Sequence, residues 1–141
     1  MRRCCRAWAM GHGWLSKSST VCAMSFLSTS DGFMSLGSRL GGTGVWNVIA
    51  GRPGFFAAAA VCCGSRSTED GTEAIDTPLW AFQGDADKTV PVSLWRDRIA
   101  ARRKAGGLPL YTEYAGVDHN CWEWAFTEPE LVKWLSAQRR S

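Results

Sequence analysis

Acidic side chains are almost missing from the first half of this 141-residue chain. Asp31 is the one acid before residue 69, against seven bases, while the other twelve acids and nine bases lie in 69–141. Histidine is scarce as well, and none of the six cysteines forms a C-x-x-C spacing, which argues against a zinc site. The adjacent pairs Cys4-Cys5 and Cys62-Cys63 are poor candidates for bridging each other, so cysteine usage leaves the redox compartment open. The longest apolar run, Phe55 to Cys63, is far short of the ~20 residues that cross a bilayer. A formal net charge of +3 gives no argument for nucleic acid or a membrane surface as partner. The basic, acid-poor start Met1-Arg2-Arg3-Cys4-Cys5-Arg6 has a transit-peptide composition without a convincing signal sequence, and localisation stays unknown.

One domain with a real core fits this length. Residues 1–40 show neither a 3.6-residue nor a 2-residue apolar period, and they are expected to be irregular. Legible order begins at Gly41. Thr43 to Arg52 reads as a short helix stopped by Gly51 and Pro53. Phe55 to Cys63 and Pro78 to Gln83 read as strands buried on both faces of a parallel sheet. Val92 to Lys104 is a helix with Leu94, Trp95, Ile99 and Ala100 inward and Arg96, Asp97, Arg102, Arg103 and Lys104 outward. Leu108 to Tyr114 is a third strand, and Glu128 to Arg139 a closing helix with Leu131, Trp134 and Leu135 inward. Alternating strands and helices predict an α/β fold with right-handed parallel crossovers.

In such sheets, sites gather in loops beyond the carboxyl ends of the strands. Gly84-Asp85-Ala86-Asp87-Lys88-Thr89-Val90-Pro91 follows one strand, and Gly116-Val117-Asp118-His119-Asn120 follows the next. Both loops open on the same edge, so a carboxylate and an imidazole are brought within reach. A carboxylate orients an imidazole and stabilises its charged form while the imidazole removes a proton from a nucleophile. Asp is also common in turns for local reasons, and His119 is what tips the balance toward chemistry.

Residues 41–139 resemble the C-terminal part of an α/β-hydrolase of the carboxylesterase, dienelactone-hydrolase and polyhydroxyalkanoate-depolymerase-like branch, with secreted-peptidase-like relatives. The resemblance is carried by Gly41-Gly42-Thr43-Gly44-Val45-Trp46, Arg52-Pro53 to Gly64, Gly84 to Pro91, and Tyr114 to Trp122 leading into Trp134-Leu135. It implies a partial α/β-hydrolase fold of about three clear strands with flanking helices, its N-terminal half missing or scrambled. It also implies a Ser-His-Asp mechanism on carboxylic esters or related acyl bonds, small or polymeric, with no metal or cofactor. Asp87 is then the triad acid, Asp85 its neighbour and His119 the base, while Gln83 stands where many relatives have His.

The nucleophile departs from that pattern. A G-x-S-x-G turn should precede the acid, and Gly37-Ser38-Arg39-Leu40-Gly41 has Arg39 at its centre. A guanidinium stays protonated at neutral pH and does not attack a carbonyl. Ser38 is the candidate nucleophile, but it lies one residue off centre, where a tight turn aims the side chain elsewhere. The chain as written is therefore expected to be inactive. A one-base shift across codons 31–40 permits Arg-Val-Tyr-Val-Ser-Gly followed by [Phe/Leu]-Ser, restoring strand and turn, so residues 1–40 carry the signature of out-of-frame translation. The competing class is a non-catalytic hydrolase fragment or pseudoenzyme that serves as a binding module. Eight Trp raise carbohydrate stacking as a third class. Trp46, Trp80, Trp95 and Trp134 fit inward faces better, leaving Trp122 and Trp124 as candidates to line a cleft.

Overall fold

The computed structural model describes residues 24–29, 32–65, 72 and 74–140. Its centre is a five-stranded sheet in sequential order, β1 (Met24–Thr29), β2 (Gly32–Ser38), β3 (Phe56–Cys62), β4 (Leu79–Gly84) and β5 (Leu110–Tyr114). β1 runs antiparallel to β2, and the remaining neighbours are parallel. Among the described residues four helices accompany it: α1 (Leu40–Gly51), α2 (Val92–Lys104), α3 (Trp122–Ala125) and α4 (Pro129–Ala137).

β3 shows why the sheet must be covered twice. Every residue of Phe56–Cys62 is buried, and successive side chains point to opposite faces. Ala59 and Val61 join Val45, Trp46 and Ile49 of α1 and Trp95 and Ile99 of α2 in one core cluster. Ala58, Ala60 and Cys62 join Cys121, which precedes α3, Ala125 of α3, and Leu131 and Leu135 of α4 in the other. The alanines are small enough to let helices pack closely on both sides, which is why a run that resembles a helix former is a central strand.

Three expected strands are present as β3 to β5, and two more precede them. β1 and β2 lie within the stretch expected to be irregular for want of a period. β2 runs between two neighbours, and its buried positions include Met34, Ser35, Gly37 and Ser38, so burial on both faces erases the alternation that would have marked it. The expectations for residues 1–23, 30 and 31 fall outside the described residues.

On α2 the inward stripe also differs from expectation. Leu94 is exposed, as is Ala100, whereas Trp95, Ile99 and Arg102 are buried, at i, i+4 and i+7. Arg102 tolerates burial because its Nη2 donates to the carbonyls of Ala74, Ile75 and Thr77 at 2.7, 3.2 and 2.9 Å. A buried cation satisfied by three carbonyls ties α2 to the segment entering β4. Of the four Trp placed inward, Trp46 and Trp95 are fully buried and pack at 6.1 Å. Trp80 and Trp134 are partly buried and meet edge to face at 5.5 Å.

Candidate active site

The β2–α1 connection is a single residue. Arg39 has φ 54° and ψ −124°, a conformation that costs a non-glycine residue on the order of 1–3 kcal/mol. Close packing enforces it. Arg39 N–H donates to the Cys62 carbonyl at 3.1 Å. A side-chain carbon on Gly37 would sit 2.9 Å from the Gly42 nitrogen, and one on Gly64 would sit 2.7 Å from the Gly42 Cα. The glycines around the turn are therefore required by backbone approach, and they hold the residue at 39 on a sharp strand-to-helix corner. Ser38 is the last residue of β2 and is 2% exposed, inside the sheet rather than on the corner.

The loops after β4 and β5 interlock. Asp85 N–H and Ala86 N–H donate to the carbonyls of Tyr114 and Val117, each at 3.1 Å. Asp85 Oδ1 accepts from Gly116 N–H at 2.6 Å, so this neighbour of Asp87 is a loop tie. Asp118 Oδ1 accepts the N–H of His119 at 2.7 Å and of Lys88 at 3.3 Å. Those two amides, His119 first, hold the Asp118 carboxyl below its usual range.

The lock sets His119 against Asp87. His119 Nδ1 lies 2.8 Å from Asp87 Oδ2, with the Asp87 side chain fully buried and the His119 side chain 17% exposed. A carboxylate only accepts, so Nδ1 carries the proton and Nε2 is the basic nitrogen. Asp87 receives three further donors: Thr89 N–H at 2.7 Å and Val90 N–H at 2.8 Å on Oδ1, and Gln83 Nε2 at 2.8 Å on Oδ2. Four donors converge on this one buried carboxyl group and fix its orientation.

Trp122 links this pair to the β2–α1 corner. Its ring meets the His119 ring edge to face at 5.9 Å and carries the Arg39 guanidinium at 5.6 Å from its centroid. Trp124, the other aromatic considered for a cleft, is 44% exposed on α3. Among the described residues the free thiols of Cys62, Cys63 and Cys121 are buried behind the site. Cys63 is lowered by its hydrogen bond with Cys121 and by Arg39, against the opposing effect of burial. Cys121 is pushed up by that same bond and by burial, and Cys62 is raised by burial. Among the described residues no group of three or more His, Cys, Asp or Glu is arranged to hold a metal ion, and no helix is long and apolar enough to cross a membrane.

Two features were not visible to sequence reasoning. The contact of Gln83 with Asp87 was hidden because glutamine reads as neutral in a strand. α3 is four residues, too short for a period. Trp122, expected as a cleft-lining aromatic from its place just after His119, meets both His119 and Arg39.

A thermostable esterase superposes on this chain with a TM-score of 0.68 and 33% identity, over 74% of this chain and 30% of its own. This chain carries part of an α/β-hydrolase fold. SOBER1 of Arabidopsis thaliana matches with a TM-score of 0.56 and 20% identity, over 72% of this chain and 50% of its own. Dipeptidyl peptidase 4 of Porphyromonas gingivalis matches with a TM-score of 0.59 and 16% identity, over 73% of this chain and 19% of its own. The chain thus spans between a fifth and a half of these α/β-hydrolase structures. No protein-family model and no curated protein matches it.

Proposed function

We propose that this partial α/β-hydrolase carries the acid and base of a serine-hydrolase site for carboxylic esters or related acyl bonds, with the nucleophile position occupied by Arg39. The observation that supports this reading above others is the 2.8 Å bond between His119 Nδ1 and the buried Asp87, on the sheet edge where the strained corner presents residue 39. Asp87 holds the imidazole in the Nδ1–H tautomer, and Nε2 is then free to take a proton.

With serine at 39, Oγ would attack the ester carbonyl carbon while its proton passes to His119 Nε2. The tetrahedral oxyanion would meet the N–H of Leu40 at the start of α1, one of the two donors such sites use. Collapse expels the alcohol, which takes the proton from His119, and leaves an acyl-serine. Water, deprotonated by His119, then releases the carboxylic acid and restores the serine. Arg39 supports none of these steps, so the polypeptide as written is expected to be inert. Its second reading, a non-catalytic hydrolase-like binding module, draws on that same side chain.

A fluorophosphonate probe and short nitrophenyl esters test the proposal. The unmodified chain should neither label nor hydrolyse. Arg39→Ser should label at position 39, and adding His119→Ala should abolish labelling. Folded Arg39→Ser that stays unlabelled, or labelling of Ser38 in the unmodified chain, overturns the reading. The nucleotide sequence over codons 31–43 tests the accompanying proposal that residues 1–40 are read out of frame.

A further inference from the structure

We infer that Gln83 is a positioning residue that shares Asp87 Oδ2 with His119 and thereby tempers the Asp87–His119 hydrogen bond; this rests on the acid and base roles proposed above. Gln83 is fully buried near the end of β4. Its Nε2 donates to Asp87 Oδ2 and to the Val90 carbonyl, each at 2.8 Å. Both partners are acceptors only, so the amide orientation is fixed by chemistry: the flipped form would face oxygen to oxygen twice.

Packing does not account for an amide here. Gln83 Oε1 is buried with no hydrogen-bond partner among the described residues, so what the amide supplies is its Nε2 donor, which serves the Val90 carbonyl and Asp87 Oδ2. Anchoring Asp87 does not account for it either. The rotamer of Asp87 is already held through Oδ1 by the backbone N–H groups of Thr89 and Val90, which follow from the loop path. What Gln83 adds falls on Oδ2, the oxygen that His119 uses. Two donors on one carboxylate oxygen divide its negative charge, so each bond is weaker than it would be alone. In a site where His119 must take a proton and later hand it to the alcohol, the sharing of Oδ2 sets how tightly Asp87 grips the imidazole N–H.

The test is proton–nitrogen NMR on the chain with Arg39 in place. Gln83→Met keeps the length and removes the donor. The Nδ1 proton of His119 should move downfield as its bond to Oδ2 becomes unshared, with the fold confirmed by circular dichroism. An unchanged or upfield resonance in folded Gln83→Met overturns the inference. A measurement on the unmodified chain guards against a variant that does not fold. The Gln83 side-chain amide protons should shift with the same pH midpoint as the His119 ring carbons, and amide protons that ignore that transition also overturn it. Neither readout needs turnover. A failed esterase assay with Arg39→Ser therefore leaves this test standing, and a null NMR result leaves the hydrolase reading standing.

Discussion

Substituting Gly84 by Ala should dislocate the candidate site more than its one added methyl would lead one to expect. Gly84 closes β4 beneath the loop that carries His119. A side-chain carbon there would lie 2.7 Å from the Asp118 carbonyl oxygen and 2.8 Å from the Val117 carbonyl carbon, with the Val117 oxygen nearer still. These are backbone atoms and have no rotamer to escape into, so the 116–119 loop must retreat by at least a few tenths of an ångström. Retreat stretches two ties, Ala86 N–H to the Val117 carbonyl at 3.1 Å and Gly116 N–H to Asp85 at 2.6 Å. Overpacking of this kind costs about 1–3 kcal/mol, and weakening two hydrogen bonds adds roughly 1 kcal/mol each. The total of about 3–5 kcal/mol should lower Tm by roughly 6–20 °C for a domain of this size. Displacing His119 from Asp87 should also cut labelling of the Arg39→Ser chain on the order of 10²-fold. Gly51→Ala is the control, because nothing lies within 4 Å of its added carbon, and it should be neutral or slightly stabilising. Thermal unfolding by circular dichroism and timed fluorophosphonate labelling read both effects. A Gly84→Ala chain that melts within about 1 °C of the parent and labels at the parental rate refutes the reasoning.

Further outcomes follow from other contacts. Asp87→Asn should cost stability, because an amide presents at most one oxygen to the four donors that Asp87 accepts, and hydrogen bonds to a charged group are worth about 1.5–3 kcal/mol each. In the Arg39→Ser background it should lower ester hydrolysis by up to about 10⁴-fold by favouring the wrong His119 tautomer; retained activity would remove Asp87 from the mechanism. The chain's two tyrosines give a pH signature. Burial pushes Tyr114 up to about 12 and raises Tyr111, which also donates to Glu113. The fold therefore keeps both phenols neutral, and the stability they contribute is whole below the unfolded value of about 10 and is lost as pH rises from there toward 12. Ultraviolet titration should show no phenolate step near pH 10 while the chain is folded, and denaturant midpoints should fall above that pH; a step near 10 in the folded chain would contradict it.

The sequence by itself determined the α/β class, the strands β3 to β5, the full extent of α2 and the two loops that bring Asp87 and His119 to one edge. Those features rest on local signals: an apolar run between glycines, helical spacing of Trp95 and Ile99, and turn residues after each strand. Tertiary structure decided the rest, because the deciding forces act between segments distant in the chain. β2 has no period of its own and exists through pairing with β1 and β3. Arg102 reads as a solvent-facing base and is buried because three carbonyls some 25 residues away receive it. Gln83 has meaning only beside Asp87 and the Val90 carbonyl. The corner at Arg39 is set by Gly42 and Gly64 meeting across α1 and the end of β3, so its backbone geometry is fixed by packing whatever side chain stands there.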